Sequence, residues 1–327
     1  MGKTLVNGIT VTYEDVGEGD NVLVLVHGHP FNRTMWQPQM EWIRRTNRAR
    51  ASAKPAARQA GGRARSEGEG SLAASEWLGD DIGIEPATPQ NLEHEDEDEH
   101  EHEGDGMWRA IAPDMRGYGE STVVAGKTTI DIFASDIAGL LDEVGIQKVV
   151  IGGLSMGGQI VMEFCRRYPE RIRGILLAAT FCRAETEEGR RQRAAMADRL
   201  LKEGMEPYAE EVLPKMVTLA NLIALPGVAD HVRAMMRATD PFGAAAAVRG
   251  RAERPDYAET LARLDVPALV VVGDQDAFTT RTDAEQMSRL LKRSELVWIK
   301  GVGHMPNLES EGEFNEALGR LLERCAE

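Results

Sequence analysis

Ser155 stands in Gly153-Leu154-Ser155-Met156-Gly157, between the apolar run Val149-Val150-Ile151 and a helix-like stretch over Gln159–Tyr168. A serine hydroxyl is a weak nucleophile. It attacks a carbonyl only when a base takes its proton and donors stabilise the resulting oxyanion. The pattern G-x-S-x-G supplies that geometry when a strand precedes it and a helix follows. The glycines then allow a sharp turn that holds Ser155 in strained backbone at the helix N-terminus, with the N–H of Met156 facing the same space. A Gly-rich structural turn with an incidental serine is the competing reading, and the flanking strand and helix count against it.

A base must come from one of seven histidines. His94, His100 and His102 lie in an acidic tract, and His231 lies among charged helical residues and reads as solvated. His27 and His29 follow the early apolar run Asn21–Val26, where His27 reads as a core histidine bonding the loop backbone. His304, in Gly301-Val302-Gly303-His304-Met305-Pro306, follows the last predicted strand. Sites gather at the C-terminal ends of parallel strands, and the order Ser…Asp…His requires a late histidine. His304 is therefore the expected base. Its acid should fix the tautomer and stabilise the imidazolium. Gly273-Asp274-Gln275-Asp276 offers two candidates. Asp274 sits where it can cap the turn, and Asp276, further into the loop, is the expected partner. The second oxyanion donor is expected from the backbone N–H of His29, with Phe31 as the alternative; Pro30 has no N–H.

These residues need a scaffold that brings several strand ends together. Apolar runs at Asn21–Val26, Trp108–Ala112, Val149–Ile151, Gly174–Ala179, Ala268–Val272 and Glu295–Ile299 read as strands, and Thr4–Val6 and Ile9–Tyr13 flank the turn Asn7-Gly8. Helical spacing recurs at Ile130–Val144, Asp283–Leu291 and Glu311–Arg324. A helix is also expected from Arg33 or Thr34 to about Ile43. Alternating strands and helices predict an α/β fold with a mostly parallel twisted sheet and helices on both faces. Residues 181–265 interrupt the alternation with amphipathic helices and read as a helical cap. The core is then 1–43, 108–180 and 266–327.

Residues 44–107 break the pattern. From Arg44 to Arg65 there are eight basic residues and no acidic one; from Ser66 to Met107 there are fifteen acidic residues and no basic one. Such a segment cannot bury enough apolar surface to offset ordering, so it reads as a disordered, low-complexity insertion. Its His/Asp/Glu run reads as solvated charge rather than a metal site. The net charge of −15 argues against nucleic acid and anionic membranes as partners. Neither a transmembrane run nor a secretory leader is visible. Three widely spaced cysteines suggest free thiols in a reducing cytoplasm.

The segments HGHPFNRTMW (27–36), APDMRGYGES (112–121), GGLSMGG (152–158), LVVVGDQDAFT (269–279) and GVGHMPNLE (301–309) resemble the α/β-hydrolase superfamily. More narrowly, they are similar to proteins classed with 3-oxoadipate enol-lactonases and related small carboxylesterases. The resemblance covers all but the insertion. It implies a Ser155–His304–Asp276 triad, an oxyanion hole from the N–H groups of His29 and Met156, and a cap over 181–265. The expected activity is hydrolysis of a small carboxylic ester or lactone through an acyl-enzyme on Ser155, with no cofactor and no metal. A cofactor-free perhydrolase, a C–C bond hydrolase, or a hydrolase-fold ligand sensor with weak turnover are the alternatives. Met205, Met216, Leu219, Leu222, Met235, Met236 and Phe242 suggest an apolar pocket, or simply the core of the cap. Arg249, Arg251 and Arg254 are candidates to meet a substrate carboxylate, or are solvated.

Overall fold

The computed structural model describes residues 1–61 and 106–326. Eight strands form one sheet in the order β1-β2-β4-β3-β5-β6-β7-β8. β1 (Gly2–Val6) and β2 (Ile9–Val16) form the antiparallel edge, and β2 also pairs antiparallel with β4 (Trp108–Pro113). β3 (Asn21–Val26), β5 (Val149–Leu154), β6 (Ile172–Ala178), β7 (Pro267–Gly273) and β8 (Arg293–Ile299) run parallel.

The continuous apolar run of β3 is explained by helices on both faces. Alternate residues point to opposite sides. Leu23 and Leu25 join the core that holds Trp36, Met40 and Phe314. Val22, Val24 and Val26 join the one that holds Phe133, Ile137 and Phe164. The helices are α1 (Gln37–Gly61), α2 (Ile130–Glu143) and α3 (Met156–Arg167), then α4 (Glu187–Glu203), α5 (Met205–Met216), α6 (Leu219–Ala224), α7 (Pro226–Ala238), α8 (Pro241–Arg251) and α9 (Ala258–Arg263) between β6 and β7. α10 (Arg281–Leu290), α11 (Pro306–Glu309) and α12 (Glu311–Ala326) complete the chain.

The chain passes from β3 to β4 on one side and later to β5 on the other. That reversal opens a crevice at the C-terminal ends of β3 and β5. The loop after β3 carries His29, and the turn after β5 carries Ser155.

One boundary differs from expectation. The first helix opens with a 3₁₀ turn at Arg33–Trp36 and runs to Gly61, well past Ile43. Apolar periodicity fades after Ile43, but the helix is tied down by polar contacts. Asn47 Nδ2 donates to the Trp108 carbonyl at 2.7 Å, and Trp108 N–H donates to Asn47 Oδ1 at 3.1 Å. Arg44 pairs with Glu14 at 2.8 Å, and Arg50 donates to the Gly106 carbonyl. An Ala/Arg-rich stretch also has good intrinsic helix propensity. Trp108 pairs with Asn21, so these ties lie at the N-terminal end of the parallel strands. The rest of the expected disordered segment, with Trp77, His94, His100 and His102, lies outside the described residues. Among the described residues no helix is long and apolar enough to cross a membrane.

Candidate active site

Ser155 sits at φ 57° and ψ −115°, directly after β5 and before α3. A positive φ at a non-glycine residue of this kind costs on the order of 1–3 kcal/mol and persists only where its surroundings fix it. Here Ser155 N–H donates to the Ala178 carbonyl at 2.9 Å, and the Ser155 carbonyl accepts from Thr180 Oγ1 at 2.7 Å. The flanking glycines are required by space. A Cβ on Gly157 would lie 2.2 Å from the Val26 carbonyl oxygen, and one on Gly153 would lie 2.3 Å from the Gly157 backbone. The same packing brings the loop after β3 close, since a Cβ on Gly28 would sit 3.3 Å from Ser155 Cβ.

His304 and Asp276 come from the loops after β8 and β7. His304 Nδ1 lies 3.0 Å from both oxygens of Asp276, whose carboxylate is fully buried. A carboxylate only accepts, so Nδ1–H donates and the Nε2 lone pair is left free. Burial pushes the Asp276 carboxyl up. The charge and hydrogen bond of His304, with the N–H groups of Phe278 and Thr279, outweigh it and hold the group below its usual value. Asp274 takes no part. Its Oδ1 accepts from Gly301 N–H at 2.8 Å, so it closes the turn between the two loops.

The histidine loop is braced by Glu309, a residue that no local pattern marks out. The Glu309 carboxylate accepts from Gly303 N–H at 2.9 Å, Thr218 N–H at 3.0 Å and Asn221 Nδ2 at 2.8 Å. His304 N–H donates to the Met216 carbonyl at 2.9 Å. These bonds tie the loop to α5 and α6. Asp114 braces the other side. It accepts from Arg33 N–H and Glu120 N–H, both at 2.8 Å, and from the Arg33 guanidinium.

His27 is a core histidine, as expected. Its Nε2 accepts from Met115 N–H at 2.9 Å, so Nδ1–H donates to the Gly28 carbonyl at 2.8 Å. His231 differs from expectation: it is half-buried, with Nε2 3.2 Å from the Thr34 carbonyl, which joins α7 to the first helical turn. Phe31 N–H is taken up by the Gly28 carbonyl at 3.0 Å, which removes it as a free donor. Among the described residues no hydrogen bond takes up the N–H of His29 or of Met156, the first residue of α3.

Ser155, His29 and His304 line one cavity of about 460 Å³. Its apolar wall is Phe181, Met196, Val212, Met216, Val248 and Phe278. Of the seven apolar residues read as pocket or, for most of them, as cap core, only Met216 lines this cavity. Met205, Met235 and Met236 are buried in the core, and Leu219 and Phe242 are 69% and 56% exposed. The helical spacing that marked them reports packing between helices as readily as it reports a pocket.

His29 and His27 carry a consequence for pH. Burial first, then the charges of Arg251, Arg193 and His27, lowers His29 from 6.5 to about 3; burial also lowers His27. A depressed folded value means that the unfolded chain binds these protons first. Stability is then complete above about pH 6.5 and is lost as pH falls toward the folded values. Urea unfolding is expected to show His29 contributing a loss on the order of 1 kcal/mol between about pH 7.5 and pH 5.5, with His27 adding to it in the same direction. His29→Asn should remove the His29 part of that loss; equal wild-type stability at both pH values would refute the assignment.

The fold has clear counterparts among known proteins. A thermophilic esterase from Thermogutta terrifontis, solved with malate bound, matches with a TM-score of 0.78 and 30% identity over 100% of both chains. The enol-lactonase from Burkholderia xenovorans LB400 matches with a TM-score of 0.74 and 22% identity over 98% of this chain and 100% of its own, a likeness of fold. In sequence, 3-oxoadipate enol-lactonase 2 of Acinetobacter baylyi is 26% identical over 214 residues, 65% of this chain and 78% of that protein. The alpha/beta hydrolase family model matches residues 70–317. With well over half its length matched by that model, the chain belongs to the alpha/beta hydrolase family.

Proposed function

We propose that the chain is a serine hydrolase of small carboxylic esters or lactones, working through an acyl-enzyme on Ser155. The observation that carries this reading is one cavity shared by a positive-φ serine and a histidine hydrogen-bonded to a buried carboxylate. Ser155 Oγ attacks the carbonyl carbon while His304 Nε2 takes its proton. Asp276 holds Nδ1–H and stabilises the imidazolium. The N–H groups of His29 and Met156 hold the oxyanion. The tetrahedral intermediate collapses, and His304 protonates the leaving alkoxide or enolate. Water, deprotonated by His304, then attacks the acyl carbon and releases the acid and Ser155. The helices of residues 181–265 act as a cap: they supply Met196, Val212, Met216 and Val248 to the cavity wall and set which substrates enter. The named esterase and enol-lactonases among the relatives support the substrate class.

Covalent labelling tests the reading. A fluorophosphonate should add one group per chain, on the peptide that carries Ser155, and stop hydrolysis of a p-nitrophenyl ester in proportion. Turnover that survives complete labelling of Ser155, or a label on another residue, would reject it.

A further inference from the structure

The cavity wall beside Ser155 is cationic, and the pairing of its charges is uneven. Arg183 pairs with Asp283 at 2.9 Å. Arg193 and Arg254 share the Glu185 carboxylate, the latter at 2.7 Å. Glu211 is taken by Arg199 at 2.6 Å. Of the three arginines near the end of α8, Arg249 pairs with Asp198 at 2.7 Å and Arg254 with Glu185. Among these guanidinium groups Arg251 is the exception; the other unpaired cation of the wall, Lys215, is exposed. Arg251 Nε donates to Gln159 Oε1 at 2.7 Å, and among the described residues no carboxylate pairs with Arg251.

A guanidinium stays protonated and carries five donors in a fork that matches a carboxylate. Holding one in a cavity without an anion is unfavourable, and a bound anion relieves that cost. Burial and the charges of Arg193 and Arg254 already press the Arg251 group well below its ordinary value. A second observation also points to a polar ligand. His29 Nδ1 is held by the Tyr118 hydroxyl at 2.8 Å, while its buried Nε2 has no hydrogen-bond partner and its ring lines the same cavity.

We propose that Arg251 determines specificity by binding a second carboxylate on the substrate, so that the preferred ester or lactone is an anionic one, such as a half-ester of a dicarboxylic acid. This rests on the hydrolase reading above for the reaction, but not for the binding. The length and rigidity of the apolar wall between Arg251 and Ser155 then set the spacing between the carboxylate and the bond cleaved.

Two measurements on the full-length chain separate the ideas. In the first, kcat/KM is compared for monomethyl glutarate and its amide isostere, in which a carboxamide replaces the carboxylate. The wild type should prefer the anion by about ten-fold or more, a charge-assisted pair's worth. Arg251→Gln should bring the ratio near one, and Arg251→Lys should restore part of it. A ratio near one in the wild type, or one preserved in Arg251→Gln, overturns the proposal. In the second, glutarate is titrated by calorimetry and should bind Arg251→Gln at least about ten-fold more weakly than wild type. Equal binding, or no binding to either, also overturns it. Cleavage of neither ester, with Arg251-dependent glutarate binding intact, would reject the hydrolase reading and keep the carboxylate site.

Discussion

Ser155→Ala is expected to abolish hydrolysis of a short-chain p-nitrophenyl ester, with kcat falling by on the order of 10⁴-fold or more. In the proposed mechanism the substitution removes the one atom that would form the acyl bond, so no other group in the cavity should compensate. What survives is the contribution of the oxyanion donors to direct attack by water, which keeps the residual rate above the uncatalysed one. The fold should tolerate the change. The bonds that fix the turn run through the Ser155 backbone, from its N–H to Ala178 and from Thr180 to its carbonyl. Alanine also keeps the Cβ, so the positive φ is no more strained than before. Circular dichroism and urea unfolding should therefore match the wild type. Equal turnover by a folded Ser155→Ala protein would remove serine from the mechanism.

Much of this site was legible before the fold, for reasons that are physical rather than statistical. The glycines at 153 and 157 have a backbone oxygen or backbone atoms within about 2.3 Å of where a Cβ would stand, so the spacing of the motif is a steric requirement. The distinction between Asp274 and Asp276 was drawn from turn chemistry, but the structure draws it differently: Asp276 is the residue that accepts the local N–H groups of Phe278 and Thr279, beside its contact with His304, and Asp274 accepts from the distant Gly301 N–H. The parallel sheet followed from apolar runs buried on both faces. The residues that escaped notice act through contacts that no local pattern announces. Glu309 braces the histidine loop through bonds to Thr218 and Asn221, about ninety positions away in sequence. Asp114 fixes the loop after β3 from the end of the neighbouring strand β4. The reach of α1 to Gly61 depends on Asn47 and Arg50 meeting the start of β4, a long-range tie that apolar periodicity does not register. Arg251 stood among three candidates, and only the pairing of the other two singles it out.

Asp276→Asn separates geometry from electrostatics at the same site, and its effect should rival that of losing the nucleophile. The asparagine carbonyl can keep the two bonds that Oδ1 now accepts, from Phe278 N–H at 2.7 Å and Thr279 N–H at 3.1 Å, so the loop should hold its shape. The remaining position then becomes an NH₂ group facing His304 Nδ1. Two donors cannot face each other, so the imidazole moves its proton to Nε2 and Nδ1 becomes the acceptor. The lone pair that should take the Ser155 proton is then occupied by hydrogen. No negative charge is left to stabilise an imidazolium. A fall of about 10⁴-fold in kcat is expected, the size found when the acid of a Ser-His-Asp triad is made an amide. KM should change little, because Asp276 is buried behind His304 and does not line the cavity. Raising the pH should recover part of the rate, since hydroxide in the medium can replace the missing base. If Asp276→Asn instead kept most of its activity with the tautomer reversed by nitrogen-15 NMR, His304 would not be the base. The hydrogen-bonded pair would then be a structural support for the turn between β7 and β8.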